Sequence, residues 1–269
     1  MQDPRSEHTR MSAIPPTSGG RPGEPRFLCE RCGYPLDGLP NSGFCPECGQ
    51  SARISHPDRR TGSAWQRRPA PGSWLRTVVA ALLRPRELLG LVQIERRRSL
   101  ALAWASCAAA AVLAVVGLGL PLGLAAAGLL FPEGAPSVAG WAWGSAGAAA
   151  LGTLILMGLT WIEARGIRFF GARHGFRITP DVAWAVCGHA AAGWVLGSAA
   201  GTLGAWAGVG GYWLGLPGWA VPVFPVLGIA AGFLFFEWFA WLGMRRCRYA
   251  NPPGAGRADS ADPDAAGPA

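Results

Sequence analysis

Four cysteines near the N-terminus have the spacing of a metal-binding ribbon. Cys29 and Cys32 belong to the run CERCGY, and Cys45 and Cys48 belong to the run CPECG. In each run two residues separate the cysteines, and the glycine that follows lets the backbone turn around the sulfurs. Four thiolates in a tetrahedral array suit a structural zinc ion, whose coordination is closed to water. The spacing therefore predicts one Zn²⁺ ion held by these four cysteines.

Two other chemistries are compatible with the same cysteines. Two disulfide bonds would require an oxidising compartment, whereas the flanking sequence predicts a cytosolic location. The two runs also resemble the metal-binding knuckles of rubredoxin, a small iron protein, but the interval between Cys32 and Cys45 is too short for the fold that lies between them there. Zinc is the favoured ion, and disulfides and redox iron remain as alternatives. A ribbon over residues 27–50 has too little core to fold without its metal.

Two ionisable residues fall within or at the end of long apolar stretches. His189 and Glu237 are costly to bury in a membrane, so each is a candidate intramembrane polar site. The favoured interpretation of His189 is a neutral side chain that hydrogen-bonds a neighbouring helix, and the alternative is a proton or ion relay that uses both residues. No nucleophile has a convincing catalytic partner. The sequence therefore predicts no catalytic residue, no small-molecule substrate and no enzymatic activity.

Composition excludes an ordinary soluble fold. Half of the 269 residues are apolar and only 15% are charged, against about 25% in an average soluble domain. The stretches Leu100 to Phe131, Val138 to Ile162 and Val182 to Phe236 contain no charged residue, and about 20 such residues cross a bilayer. The sequence predicts an all-α polytopic membrane protein with four transmembrane helices. The predicted spans cover about 100–121, 138–162, 182–206 and 223–244.

The remaining chain divides by composition. Apolar positions recur at helical spacing from Trp74 onward, and Pro85 should start a second segment because proline is tolerated in a first helical turn. This pattern predicts an interfacial amphipathic helix before the first span. The predicted divisions are a disordered arm over 1–26, the ribbon over 27–50, a polar linker over 51–73, the interfacial helix over 74–99, the membrane domain over 100–248 and a disordered tail over 249–269.

The arginines predict how the chain crosses the membrane. The segments 132–137 and 208–222 contain no basic residue, and cytoplasmic flanks of spans retain the basic ones. Both termini are therefore expected to be cytosolic in a multi-pass protein of a bacterial inner membrane. Anionic lipid headgroups are favoured over nucleic acid as partners of the basic residues. The predicted headgroup contacts are Arg96, Arg97, Arg98, Arg165, Arg168, Arg245 and Arg246.

Small residues recur every fourth position in two of the predicted spans. Such stripes let helix backbones approach closely in lipid, so both are expected to face other helices. A chain rich in glycine and alanine also yields these spacings by chance. The two stripes are Gly140, Gly144, Ala148 and Gly152 in the second span, and Gly193, Gly197, Gly201 and Ala205 in the third.

The region from Arg84 to Arg248 resembles the Ypt-interacting-protein (YIP) family of multi-spanning membrane proteins. The resemblance lies in LLRPRELL before the first span, a short outer loop, a basic inner loop and the run DVAWAVCGHAAAGWVLGSAAG. The predicted spans are one fewer than is usual in that family. The cysteine pattern also looks like ribbons that precede membrane segments in many bacterial proteins.

The YIP resemblance implies membrane organisation or recruitment of partners. We therefore predict a non-enzymatic membrane scaffold or adaptor whose cytosolic ribbon binds an unidentified protein partner. The alternative is a small transporter or channel subunit that uses His189 and Glu237.

Overall fold

Most of the described chain is α-helical. The computed structural model describes residues 27–40, 42–130 and 138–255. Among these residues no β-strand forms, and extended pairing is limited to two isolated bridges, Leu28 with Pro35 and Phe44 with Ser51. The helices are α1 (Ala52–Ser55), α2 (Ala64–Arg67), α3 (Pro71–Leu83), α4 (Pro85–Leu91), α5 (Arg96–Leu130), α6 (Val138–Arg173), α7 (Pro180–Ala190), α8 (Ala192–Trp213) and α9 (Ala220–Arg246).

Four helical segments are long and apolar enough to cross a membrane. Their mean hydropathies lie between 1.3 and 2.2, so the predicted all-α fold with four candidate spans is confirmed at this level. The segments are Arg96–Gly117, Trp143–Arg173, Pro180–Trp213 and Ala220–Arg246.

The helices extend beyond the predicted spans. α5 continues to Leu130 and α6 to Arg173, past the expected ends near 121 and 162. The third segment comprises α7 and α8 and covers 34 residues. At about 1.5 Å per residue it is longer than the hydrocarbon core of about 30 Å. A segment of this length can extend past the hydrocarbon core, as can α5 and α6.

Helices α8 and α9 pack closely against each other. A Cβ atom added to Gly193 would lie 2.8 Å from the Gly232 carbonyl oxygen, and one added to Gly197 would lie 3.2 Å from the Gly232 Cα atom. Trp194 stacks on Phe236 with ring centroids 4.5 Å apart. The small-residue stripe of the third span therefore faces another helix, as predicted, because only glycine permits this approach.

Among the described residues, most of the small-residue stripe predicted on the second span does not pack against another helix. Gly144 and Ala148 are exposed on α6, and only Gly152 approaches another helix, where an added Cβ atom would lie 3.3 Å from the Cβ atom of Ala111. The burial of Gly140 lies outside the description. The prediction was wrong for Gly144 and Ala148 because this part of α6 is turned away from the bundle, and small-residue spacing does not distinguish a packed face from an exposed one.

Residues 51–73 were predicted to form a linker, but they fold into helices α1 and α2, a 3₁₀ turn and the start of α3. The reason is a capping box in which the Ser63 hydroxyl accepts from the Gln66 amide while the Gln66 side chain accepts from the Ser63 amide. Gln66 is fully buried, and its side chain also donates to the Gln93 carbonyl and the Ser99 hydroxyl. These bonds hold α2 against the start of α5.

The predicted interfacial helix over 74–99 comprises most of α3, the whole of α4 and the start of α5, and Pro85 begins α4. One face of α3 packs Val78 and Ala81 into the core, while the opposite face exposes Leu75 and Leu83. A non-helical stretch over 92–95 follows α4 and leads into α5. A contact of this exposed face with lipid stays a prediction.

The predicted tail over 249–269 begins as ordered chain. Residues 249–255 pack against the ribbon, and Ala255 is buried in the ribbon core. The predicted arm over 1–26, the outer loop over 132–137 and the remainder of the tail over 256–269 lie outside the described residues.

Candidate metal centre

The two halves of the ribbon repeat one backbone turn. Gly33 donates its amide hydrogen to the Cys29 carbonyl at 2.8 Å, and Gly49 donates to the Cys45 carbonyl at 2.9 Å. Both glycines have positive φ angles, 81° and 70°, a conformation that other residues rarely adopt. The sequence CxxCG thus forms the same knuckle twice and turns two sulfurs of each pair toward a common point.

The four sulfurs converge. The Sγ atoms of Cys29 and Cys48 lie 3.6 Å apart, and those of Cys32 and Cys45 lie 3.5 Å apart. All four donor atoms lie within 4.8 Å of one another, and all seven cysteines of the chain are free of disulfides. Tetrahedral zinc with bonds of about 2.3 Å would place sulfurs about 3.8 Å apart. The predicted cluster is confirmed as a group that could bind a metal ion, and its geometry fits zinc.

The thiol pKa values show why this cluster favours a cation. Burial raises the pKa of Cys32 to about 12, and hydrogen bonds with the neighbouring cysteine sulfurs add to the effect. Burial also opposes ionisation of Cys45, but the backbone amides of Cys48 and Glu47 outweigh it and lower the pKa of Cys45 to about 7. The Cys45 thiol therefore ionises more readily than the Cys32 thiol. A bound metal ion supplies the positive charge that holds all four as thiolates.

Arg60 joins the ribbon to the helices. Its Nε and Nη2 atoms donate to the two carboxylate oxygens of Glu30 at 3.1 and 3.0 Å. Its Nη1 atom donates to the carbonyls of Leu89 and Val92 at 3.0 and 3.1 Å, where α4 ends. Arg60 is buried, and Glu30 lies between the first two cysteines. Arg60 therefore links the first metal knuckle to the end of α4. A bidentate ion pair holds Glu30, and two hydrogen bonds hold the backbone of Leu89 and Val92.

His189 contacts Ser63, the residue that caps the N-terminus of α2. Among the described residues, no contact joins His189 to Glu237. Its Nδ1 atom lies 2.7 Å from the Ala185 carbonyl, and its Nε2 atom lies 3.0 Å from the Ser63 hydroxyl. Because a carbonyl only accepts, Nδ1 carries the hydrogen and the Ser63 hydroxyl donates to Nε2. The adjacent Gly188 packs on the backbone of Ser99 at the start of α5. His189 is thus part of the polar contact between α7 and α2.

Glu237 lies near a different acid. Glu163 of α6 interacts electrostatically with Glu237 of α9, and both interact with the buried thiol of Cys187. The sequence analysis did not single out Glu163, which directly follows the charge-free stretch and precedes Arg165. Its only signal was an acidic residue one position beyond the predicted span.

The arginines predicted to contact lipid lie on the side of the bundle that carries the ribbon. The Arg165 guanidinium lies 4.0 Å from the ring centroid of Trp161, and that of Arg245 lies 4.5 Å from the ring centroid of Trp241. Arg98 instead donates to the Gln66 carbonyl. The predicted residues that are exposed are Arg96, Arg97, Arg98, Arg165, Arg168, Arg245 and Arg246. Their binding to headgroups stays a prediction.

The fold and the site define a helical protein with four candidate membrane spans and a four-cysteine site that could hold a metal ion. No protein-family model, curated protein or solved structure matches the chain. The resemblance to the YIP family therefore stays a prediction.

Proposed function

We propose that this protein is a non-enzymatic scaffold or adaptor of a bacterial inner membrane, with a zinc-loaded ribbon on the cytosolic side. The observation that supports this role is the docking of a closed four-sulfur site onto the helix bundle through Arg60 and Glu30. Four protein sulfurs leave zinc no position for a substrate or water. A rigidly held ribbon instead offers a surface to a partner. The role agrees with what the YIP resemblance implies.

The exposed side of the ribbon has features of a protein-binding surface. Phe44 is 69% exposed and Ile54 is 48% exposed. Ile54 lines a shallow groove together with Arg53 and Arg59. Exposed apolar side chains beside guanidinium groups suit a protein partner that presents acidic and apolar residues. The arginines at the helix ends, beside Trp161 and Trp241, suit anionic lipid headgroups instead.

Site-specific photocrosslinking tests the adaptor role. A photoreactive residue at Phe44 should crosslink to a discrete protein in native membranes. The same residue at Leu214, which follows the C-terminal end of α8, should not. The Phe44 adduct should disappear when Cys32→Ser removes the metal site. Lipid adducts alone, or a protein adduct that survives Cys32→Ser, would contradict a ribbon that recruits proteins.

The proposed orientation predicts a labelling pattern. Leu214 lies between α8 and α9 and is 89% exposed, whereas Gly90 is exposed on α4, beside the ribbon. In intact cells a membrane-impermeant maleimide should modify Leu214→Cys and leave Gly90→Cys unmodified, and permeabilisation should make both reactive. Mass spectrometry of the labelled peptides separates these sites from the native cysteines. The reverse pattern would place the ribbon outside the cytosol.

A small transporter or channel subunit is the second candidate function. The sequence assigned this role to His189 and Glu237, whereas the electrostatic influences in the structure associate Glu237 with Glu163 and Cys187. Two carboxylates that influence each other's charge can share a proton if they approach closely enough. This observation, rather than His189, supports the alternative.

Proton flux distinguishes the two functions. We expect the protein reconstituted alone in vesicles to show no current driven by a pH gradient, and Glu237→Gln to leave folding nearly unchanged. Glu87→Gln is the control, because Glu87 is exposed in the first turn of α4 and pairs at 3.8 Å with Arg84, at the N-terminal end of that helix. A current that is lost in Glu237→Gln and kept in Glu87→Gln would contradict the scaffold and establish the transporter.

A further inference from the structure

The chain returns to the ribbon after its last helix. We define the return segment as residues 248–255, which follow α9 and Cys247. The Arg248 guanidinium donates to the Arg31 carbonyl. The Tyr249 ring lies so close to Gly33 that an added Cβ atom would be 2.8 Å from its Cε1 atom. The return segment therefore covers the first metal knuckle.

Asn251 makes the most specific of these contacts. Its Oδ1 atom accepts from the Leu28 amide at 2.9 Å, and its Nδ2 atom donates to the Leu28 carbonyl at 2.7 Å. The same Nδ2 atom donates to the Ser55 carbonyl at 2.9 Å. Asn251 is fully buried, so these bonds are shielded from water. They fix both the amide and the carbonyl of Leu28, the residue that precedes Cys29.

The return segment also reaches the charged residue inside the knuckle. The Asn251 amide donates to the Glu30 carboxylate at 3.4 Å, beside the ion pair of Glu30 with Arg60. Ala255 is 7% exposed and belongs to the same buried cluster as Cys29 and Cys45. The core around the metal ligands is therefore incomplete without the end of the described chain.

We infer that the return segment is a structural part of the metal site, with Asn251 as a positioning residue for Cys29 and Cys32. Docking of the segment and binding of the metal then stabilise each other, because linkage between two sites is reciprocal. The segment directly follows α9, so metal binding keeps residues 248–255 in an ordered conformation, and metal loss releases them. This inference rests on the proposed zinc site and adds its dependence on the C-terminal side of the membrane domain.

The affinity of the full chain for zinc tests this inference. In detergent, with a chelator as competitor, Asn251→Leu should bind zinc about 10-fold to 100-fold more weakly, which is the effect expected of residues that orient metal ligands. Pro253→Ala is the matched control, because Pro253 is exposed in the same segment, and its affinity should be unchanged. Equal affinities of Asn251→Leu and the unaltered protein would overturn the inference.

A second measurement uses the unaltered protein and so does not depend on the folding of a variant. Removing zinc should accelerate hydrogen exchange at the Asn251 and Ala255 amides, which donate to Glu30 and to the Pro252 carbonyl. Amides of α8 should not change. If zinc binds but these rates stay the same on its removal, the inference fails while the proposed site stands. If the unaltered protein takes up no zinc, the proposed site fails and the inference fails with it.

Discussion

Replacing Cys32 by serine should abolish zinc binding and unfold the ribbon while the helix bundle stays folded. Structural zinc contributes about 10–16 kcal/mol to the folding of small zinc modules, and a ribbon over residues 27–50 buries little else. The loss therefore exceeds what its core contacts with Phe27 and Leu36 can offset. Zinc content and hydrogen exchange of the full chain measure the two effects separately.

The matched control is Cys107→Ser. Cys107 is also buried and free, but it lies in α5, where its sulfur contacts the Thr160 hydroxyl at 3.9 Å. This variant should retain one zinc per chain. Full zinc retention in Cys32→Ser, or exchange that rises throughout α8 and α9, would contradict a ribbon that folds on its metal beside an independently stable bundle.

Arg60→Met should cause the largest loss of stability among substitutions outside the metal ligands. It leaves the Glu30 carboxylate without its ion pair and removes the donor to the carbonyls of Leu89 and Val92. Breaking one partner of a buried ion pair costs about 3–5 kcal/mol. We expect a lower midpoint of thermal unfolding in detergent and earlier proteolysis of the ribbon.

Two variants distinguish the loss of the Arg60–Glu30 ion pair from the loss of one positive charge. Arg59→Met removes an exposed neighbouring arginine and should change the midpoint little. Arg60→Met combined with Glu30→Gln should be more stable than Arg60→Met alone, because no unpaired carboxylate remains. If Arg60→Met behaves like Arg59→Met, Arg60 does not hold the ribbon to the bundle.

The sequence predicted the features that depend on local spacing. Two residues between paired cysteines and a glycine after each pair specify the knuckles, and long charge-free stretches specify the candidate spans. Docking was not predictable in this way. Asn251 and Leu28 are 223 positions apart in the chain, and neither hydropathy nor periodicity indicates which polar residues meet over such distances.

His189 illustrates a second reason. It lies in an apolar stretch, and hydropathy does not indicate that its partner is Ser63, which lies 126 positions earlier in the chain, before the first span. The linker prediction failed for a related reason, since the Ser63 and Gln66 capping box is polar in composition yet buried in the fold.

The zinc K-edge X-ray absorption spectrum of the detergent-purified full chain tests the central claim most directly. A closed structural site predicts one zinc per chain, surrounded by four sulfurs at about 2.3 Å, with no nitrogen or oxygen in the coordination shell. The same spectrum should be obtained from Glu237→Gln, which alters only the membrane helices. Iron with a visible absorption band, or zinc with nitrogen, oxygen or water ligands, would contradict a scaffold built around a closed zinc ribbon.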